Sequence, residues 1–257
     1  MPNNHFYIAY SGNKRNEFQH FYNNVDLTNI TTIIEPFGGT HAISYFLWEK
    51  HPNLKFIIND VNPYFYEMYK IYKDEEKIDI FNKEITELIK SFKDNKILYN
   101  DIVKENNLYS WFISHKVYSI RPGLFPNSRP YTDIIDLRKH PIYNFYKNAD
   151  IEFYNEDGIN IYEKYKNDES NLIFLDPPYL DSCNDFYKHK KDKHLNIYEY
   201  LYNNNINNEN ANIYLMLEDI CMIRLIFKNN FFFQSYNKKY EQSKKKTSHV
   251  LIKKSIL

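Results

Sequence analysis

The chain has 257 residues, 43% hydrophobic and 26% charged, with Lys+Arg 33 against Asp+Glu 33. That length supports one large domain, or one core domain carrying an insert, with a substantial buried core. Zero formal net charge leaves any polyanion site to a local patch, and two cysteines, Cys183 and Cys221, exclude a disulfide framework and a cysteine-only zinc site. The start, Met1-Pro2-Asn3-Asn4-His5, lacks the basic-then-apolar layout of a signal peptide, and no apolar run approaches the length of a membrane span. A reducing, cytoplasmic compartment and no membrane partner are therefore expected. Aromatic residues are plentiful, Arg is confined to Arg15, Arg121, Arg129, Arg138 and Arg224, and Gly is only 5. In so glycine-poor a chain, a Gly-Gly pair calls for an explanation.

In chain order, residues 31–34 read as a short apolar strand running into Glu35-Pro36-Phe37-Gly38-Gly39-Thr40. Residues 40–50 have helical length. A second strand, 54–58, runs into Asn59-Asp60. A long helix is expected over 78–93, followed by aromatic and proline-rich sequence from Trp111 to Pro141, and the stretch 78–149 reads as an inserted subdomain. Strands 171–175 and 212–217 follow, ending in Asp176-Pro177-Pro178 and Glu218-Asp219. Phe231 to Phe233 and His249 to Ile252 read as a closing pair of strands. The polar run 203–210 and the charged segment from Lys238 to Lys246 read as loops.

Short apolar runs of this kind fit strands buried on both faces of a parallel sheet. Their alternation with helical stretches predicts an α/β fold of the doubly wound, Rossmann-like type, with helices on both faces. In such sheets ligands bind outside the carboxyl ends of the strands, where the terminal acids of this chain fall.

Glu35 to Thr40 joins a strand to a helix. Consecutive glycines allow positive φ and close approach of a ligand, and a helix N-terminus adds amide donors. A plain turn would also account for Gly38-Gly39 alone. Asp60, at the end of the next strand about 20 residues on, stands where Rossmann-type folds put an acid against a ribose hydroxyl. Neither a GxGxxG fingerprint nor a GxxxxGK[ST] loop is present. In Asp176-Pro177-Pro178-Tyr179 two prolines fix two φ angles and remove two amide donors. The Asp176 carboxylate, the Pro177 carbonyl and the Tyr179 ring together suit a planar amine such as that of a base.

The order Tyr10-Ser11-Gly12-Asn13-Lys14-Arg15, Glu35-Pro36-Phe37-Gly38-Gly39-Thr40, Asn59-Asp60-Val61-Asn62 and Asp176-Pro177-Pro178-Tyr179 resembles the Dam-type (alpha-group) DNA adenine-N6 methyltransferases. The resemblance spans residues 10 to 179. It implies a class I methyltransferase sheet over 1–77 and 150–257 that binds S-adenosylmethionine, a target-recognition insert over 78–149, and duplex DNA whose adenine is flipped into the DPPY pocket. By matching position, Tyr10 and Lys14 resemble the N-terminal cofactor and active-site motif. Glu35, Pro36, Phe37, Gly38 and Gly39 fall at the cofactor, the last three against its methionine part. Asp60 falls at its ribose and Asp157 at its adenine, with Glu156 as the alternative register. Asp176 and Pro177 would accept hydrogen bonds from the target amine, Pro178 would stiffen the loop, and Tyr179 would stack on the base. The chain departs from the family pattern at Asn13, where a glycine is usual, at Leu217-Glu218, where a polar pair is usual, and at His249, where an acid is usual.

For DNA contact, Arg121, Asn127 and Arg129, flanked by Tyr118, Phe125 and Tyr131, are the candidate base readers. Arg138-Lys139, Lys188 to Lys191, and Lys238-Lys239 with Lys244 to Lys246 are candidate phosphate patches, though for any single patch a solvated face is the favoured reading. The nine histidines show no paired metal spacing, so no metal is expected. Two other readings stay open: methylation of RNA or another amine on the same fold, and a non-catalytic nucleic-acid-binding or structural protein on a retired methyltransferase fold.

Overall fold

Alternate residues of each central strand point to opposite faces of one sheet, and both faces are covered. The computed structural model describes residues 14–15, 17–92, 95–116, 135–179, 197–201, 203, 211–239 and 246–253. The strands are β1 (Thr32–Glu35), β2 (Lys55–Asn59), β3 (Asp150–Tyr154), β4 (Asn171–Leu175), β5 (Asn212–Glu218), β6 (Phe231–Phe232), β7 (Tyr236–Lys239) and β8 (Lys246–Lys253). Their order is β3-β2-β1-β4-β5-β8-β6, with β7 also paired to β8. The first five strands run parallel. β8 inserts antiparallel to β5 on one side and to β6 and β7 on the other. This is the α/β class I methyltransferase fold.

Ile33, Phe56, Ile58, Leu172, Phe174, Tyr214, Met216 and Leu251 face one side. There they meet α1 (Phe18–Tyr22), α2 (Ala42–Lys50), α3 (Pro63–Tyr72), α4 (Glu75–Phe92), α5 (Lys96–Ile102), α6 (Leu108–Lys116) and α7 (Ile142–Asn148). Ile34, Ile57, Ile173, Leu175, Ile213, Leu215, Leu217, Val250 and Ile252 face the other side. They meet α8 (Gly158–Tyr165), the helical residues 197–201 and the helix Cys221–Ile226. α4 buries Ile78, Phe81, Ile85, Ile89 and Phe92 at helical spacing, and these join the same core as α3 and the sheet. No helix among the described residues is long and apolar enough to cross a membrane.

Two strands differ from the sequence-based expectation. β3 alternates Asp150, Ile151, Glu152, Phe153 and Tyr154 and is only half-buried, as suits an edge strand. β7 replaces part of the loop expected from Lys238 to Lys246. Its polar Tyr-Asn-Lys-Lys sequence is held by the ladder to β8, with Tyr236 opposite His249 and Lys239 opposite Lys246. Phe231, on the short edge strand β6, is exposed rather than core.

The chain moves outward from β1 to β2 to β3, then returns to place β4 on the other flank of β1. The crevice between the carboxyl ends of β1 and β4 is the topological switch point of the sheet. Glu35 to Gly39 leaves one of these strands and Asp176 to Tyr179 the other.

Candidate active site

The turn after β1 is built by contacts that only small or kinked residues permit. Gly38 donates its backbone N–H to the Asn59 carbonyl at 2.8 Å, and the His41 N–H returns to the Gly38 carbonyl at 2.8 Å. A Cβ on Gly38 would lie 2.8 Å from His41 Nδ1 and 3.0 Å from the Asn59 carbonyl oxygen. The first is closer than packed atoms tolerate and the second, to backbone, is tight, so any side chain at position 38 would force the turn to shift. Gly39 takes φ 53° and His41 φ 55°, turning the chain sharply into α2.

Two carboxylates hold this turn from either side. Asp60, at the end of β2, accepts the Gly39 N–H on Oδ2 and the Asn62 N–H on Oδ1, both at 2.8 Å. Burial pushes its pKa up to about 6 against the pull of those two amides. Glu35 is turned inward. Its Oε2 accepts the Ser44 N–H at 3.0 Å, satisfying a first-turn amide of α2. The side chain is 3% exposed, and burial, with a smaller contribution from the Asp176 charge, raises its pKa to about 7.

A carboxyl with a raised folded-state pKa makes the native state bind more protons than the unfolded state, so stability falls as pH rises through that interval. For Glu35 the interval is about 4.5 to 7. Glu35→Gln keeps an acceptor for Ser44 but removes the buried charge. It is expected to gain roughly 2–3 kcal/mol relative to the native protein between pH 5 and pH 8, read as the difference in urea midpoints at the two pH values. An equal difference at both would refute the buried-charge account.

Asn59 was read from sequence only as part of a motif, yet it ties two loops together. It is fully buried. Its Nδ2 donates to the Pro36 carbonyl at 2.8 Å and to the Glu156 carbonyl at 3.0 Å, and its Oδ1 accepts the Glu156 N–H at 2.9 Å. The loops after β1 and β3 are thereby locked to β2. Asp157, next along, is exposed and caps α8 by accepting the Ile159 N–H at 3.0 Å. The Phe37 ring lies against Gly158, where a Cβ would come within 2.5 Å of it. Phe37, Gly38, Gly39, Asp60, Asp157 and Gly158 thus share one neighbourhood.

At the end of β4, Asp176 is ion-paired with Lys14, which is itself buried, and the Lys14 ammonium lies 5.3 Å from the centroid of the Tyr179 ring. The N-terminal lysine therefore joins the Asp176-Pro177-Pro178-Tyr179 loop directly. Tyr179 also meets His249 on β8, with ring centroids 5.2 Å apart. Tyr198, buried on the helical residues 197–201, lies in the electric field of Asp176 and Glu218, and burial with those charges raises its pKa well above the ordinary phenol range. Sequence reading did not single out Tyr198, which follows the loop by about 20 residues and carries no motif.

Arg138 is taken up by acids of α4. The Arg138 guanidinium donates to Glu75 at 3.0 Å and Asp79 at 2.7 Å, while Lys139 is exposed. Tyr10, Asn13, Arg121, Asn127, Arg129, Cys183, Lys188 to Lys191 and Lys244-Lys245 lie outside the described residues.

The family model of the D12 class N6 adenine-specific DNA methyltransferases matches residues 10–117, from the N-terminal motif through the Gly-Gly turn and Asp60 into α6. Over that segment the chain is similar to that family. Asp176-Pro177-Pro178-Tyr179 lies beyond the matched segment, after β4, the strand that neighbours β1 in the sheet. The chain is also 24% identical over 192 residues, 70% of each chain, to the Type II methyltransferase M.CviBI of Paramecium bursaria Chlorella virus NC1A. The members of that family are adenine-specific DNA methyltransferases, which use S-adenosylmethionine, and DNA is the substrate class that the match implies.

Proposed function

We propose that residues 1–77 and 150–257 form the catalytic domain of this methyltransferase, that residues 78–149 form its target-recognition subdomain, and that the target adenine leaves the duplex to enter a pocket at Asp176-Pro177-Pro178-Tyr179. The observation that carries the reading is the meeting of two strand ends at the switch point. One bears Phe37-Gly38-Gly39 braced by Asp60, and the other bears Asp176 joined to Lys14.

The donor set suits the cofactor. Asp60 accepts one amide on each oxygen, and a carboxylate offers about four lone-pair sites, so acceptors remain for ribose hydroxyls. Phe37, against Gly158 and beside Asp157, supplies an apolar wall next to an acceptor, as an adenine ring requires. Bound there, S-adenosylmethionine supplies an electrophilic sulfonium methyl group. Asp176 and the Pro177 carbonyl accept the two N–H bonds of the target amine, which orients its lone pair toward the crevice. An adenine amine is a weak nucleophile, and orientation of this kind can supply several kcal/mol. Lys14 holds Asp176 in place, and Tyr179 replaces the stacking that the base loses on leaving the helix.

For DNA, Arg121, Asn127 and Arg129 are assigned to base reading. With Arg138 committed to Glu75 and Asp79, the exposed Lys139 is the better phosphate contact of that pair.

The test is methyl transfer from labelled S-adenosylmethionine to mixed-sequence duplex DNA and, separately, to RNA, with the product nucleoside identified. N6-methyladenine in DNA is expected. Label in RNA alone, or on another base, would overturn the reading.

A further inference from the structure

We propose that His249 is a positioning residue for Tyr179, fixing from strand β8 the ring against which the target base stacks; the proposal rests on the reading of Tyr179 given above. Pro177 and Pro178 stiffen the backbone that delivers Tyr179, but they leave its side-chain torsions unset. Strand β8, two places from β4 across β5, brings His249 to it. His249 is fully buried, and its Nδ1 lies 3.4 Å from the Tyr179 hydroxyl, with the two rings at 71°. Its Nε2 lies 3.1 Å from Thr247 Oγ1. In a neutral imidazole one nitrogen donates and the other accepts, and a hydroxyl can do either, so both nitrogens are satisfied whichever carries the proton.

The backbone that carries the imidazole is fixed. Its strand is paired on both flanks, with His249 opposite Glu218 of β5 and Tyr236 of β7, and the Tyr236 ring stands 5.9 Å away. Tyr179 is thus held between a rigid ring on β8 and the Lys14 ammonium. Histidine offers Tyr179 both an edge contact and a polar atom.

The experiment measures methyl transfer to duplex DNA by the full chain for His249→Ala, His249→Asn, Tyr179→Phe and the double variants, together with S-adenosylmethionine affinity and the thermal midpoint. His249→Ala is expected to raise KM for DNA and to lower kcat/KM by about 10- to 100-fold, with cofactor affinity near that of the native protein. His249→Asn, which restores a polar atom near the hydroxyl, is expected to recover part of the loss. Combined with Tyr179→Phe, the loss should be smaller than the product of the single losses, because both remove one contact. Native kinetics in His249→Ala, or multiplying losses in the cycle, would overturn the proposal. Should the alanine variant not fold, His249→Asn with Tyr179→Phe makes the same cycle. Transfer by the native chain tests the site reading separately, since the proposal is read only from ratios between variants.

Discussion

Replacing Asp176 with alanine is expected to lower kcat for methyl transfer by about 100- to 1,000-fold or more, while S-adenosylmethionine affinity changes only a few-fold. The magnitude is that of removing one preorganised group aimed at the reacting centre. Asp176 ends a strand at the switch point, where ligands bind in sheets of this kind. Its loss carries a second effect. Lys14 and Asp176 have side chains 6% and 14% exposed. Removing one partner of a buried pair leaves the other charge uncompensated, at a cost of about 3–5 kcal/mol if it stays buried. Unfolding could then pass for lost chemistry. The double variant Lys14→Met, Asp176→Ala separates the two. It should regain most of the thermal stability and none of the transfer. Recovery of transfer along with stability would mean that Asp176 matters only as the partner of Lys14.

The central sheet was legible because β1, β2, β4 and β5 are covered on both faces, and their apolar runs need no tertiary information to be read. β3 was harder for the same physical reason inverted. An edge strand with one side to solvent alternates Asp, Ile, Glu, Phe and Tyr, and five residues of alternation carry little signal. β7 has almost none, since Tyr-Asn-Lys-Lys is a strand only because β8 runs beside it. The site divides likewise. Gly38, Asp60 and Asp176 stand in contiguous motifs whose chemistry is local. Arg138 looks like a phosphate contact until Glu75 and Asp79, some sixty positions earlier, are seen to claim its guanidinium. The contact of Tyr179 with His249 spans 70 positions. No motif encodes such pairings, which arise only when strands close.

Asn59 is the strongest case of a residue whose weight appears only in the fold, and it carries the second large prediction. Asn59→Ala removes three hydrogen bonds at a fully buried position and strands the Pro36 and Glu156 carbonyls and the Glu156 N–H. Each buried group left unsatisfied costs about 1–3 kcal/mol before relaxation. A net loss of about 2–4 kcal/mol is therefore expected, a fall of roughly 5–15 °C in thermal midpoint for a chain of this size. The functional effect follows from what those bonds join. Pro36 precedes Phe37-Gly38-Gly39, and Glu156 precedes Asp157 and Gly158, so the same side chain sets the spacing between the two walls assigned to the cofactor. Freed from Asn59, those loops should bind S-adenosylmethionine about 10- to 100-fold more weakly, as read by calorimetric titration of the folded variant. Asn59→Asp sharpens the test. It keeps an acceptor for the Glu156 N–H but loses both donors and places a carboxylate where water does not reach, so at neutral pH it should be less stable than the alanine variant. An alanine variant that binds the cofactor as the native chain does, at a temperature where it is folded, would show that the two loops hold their spacing without this clamp.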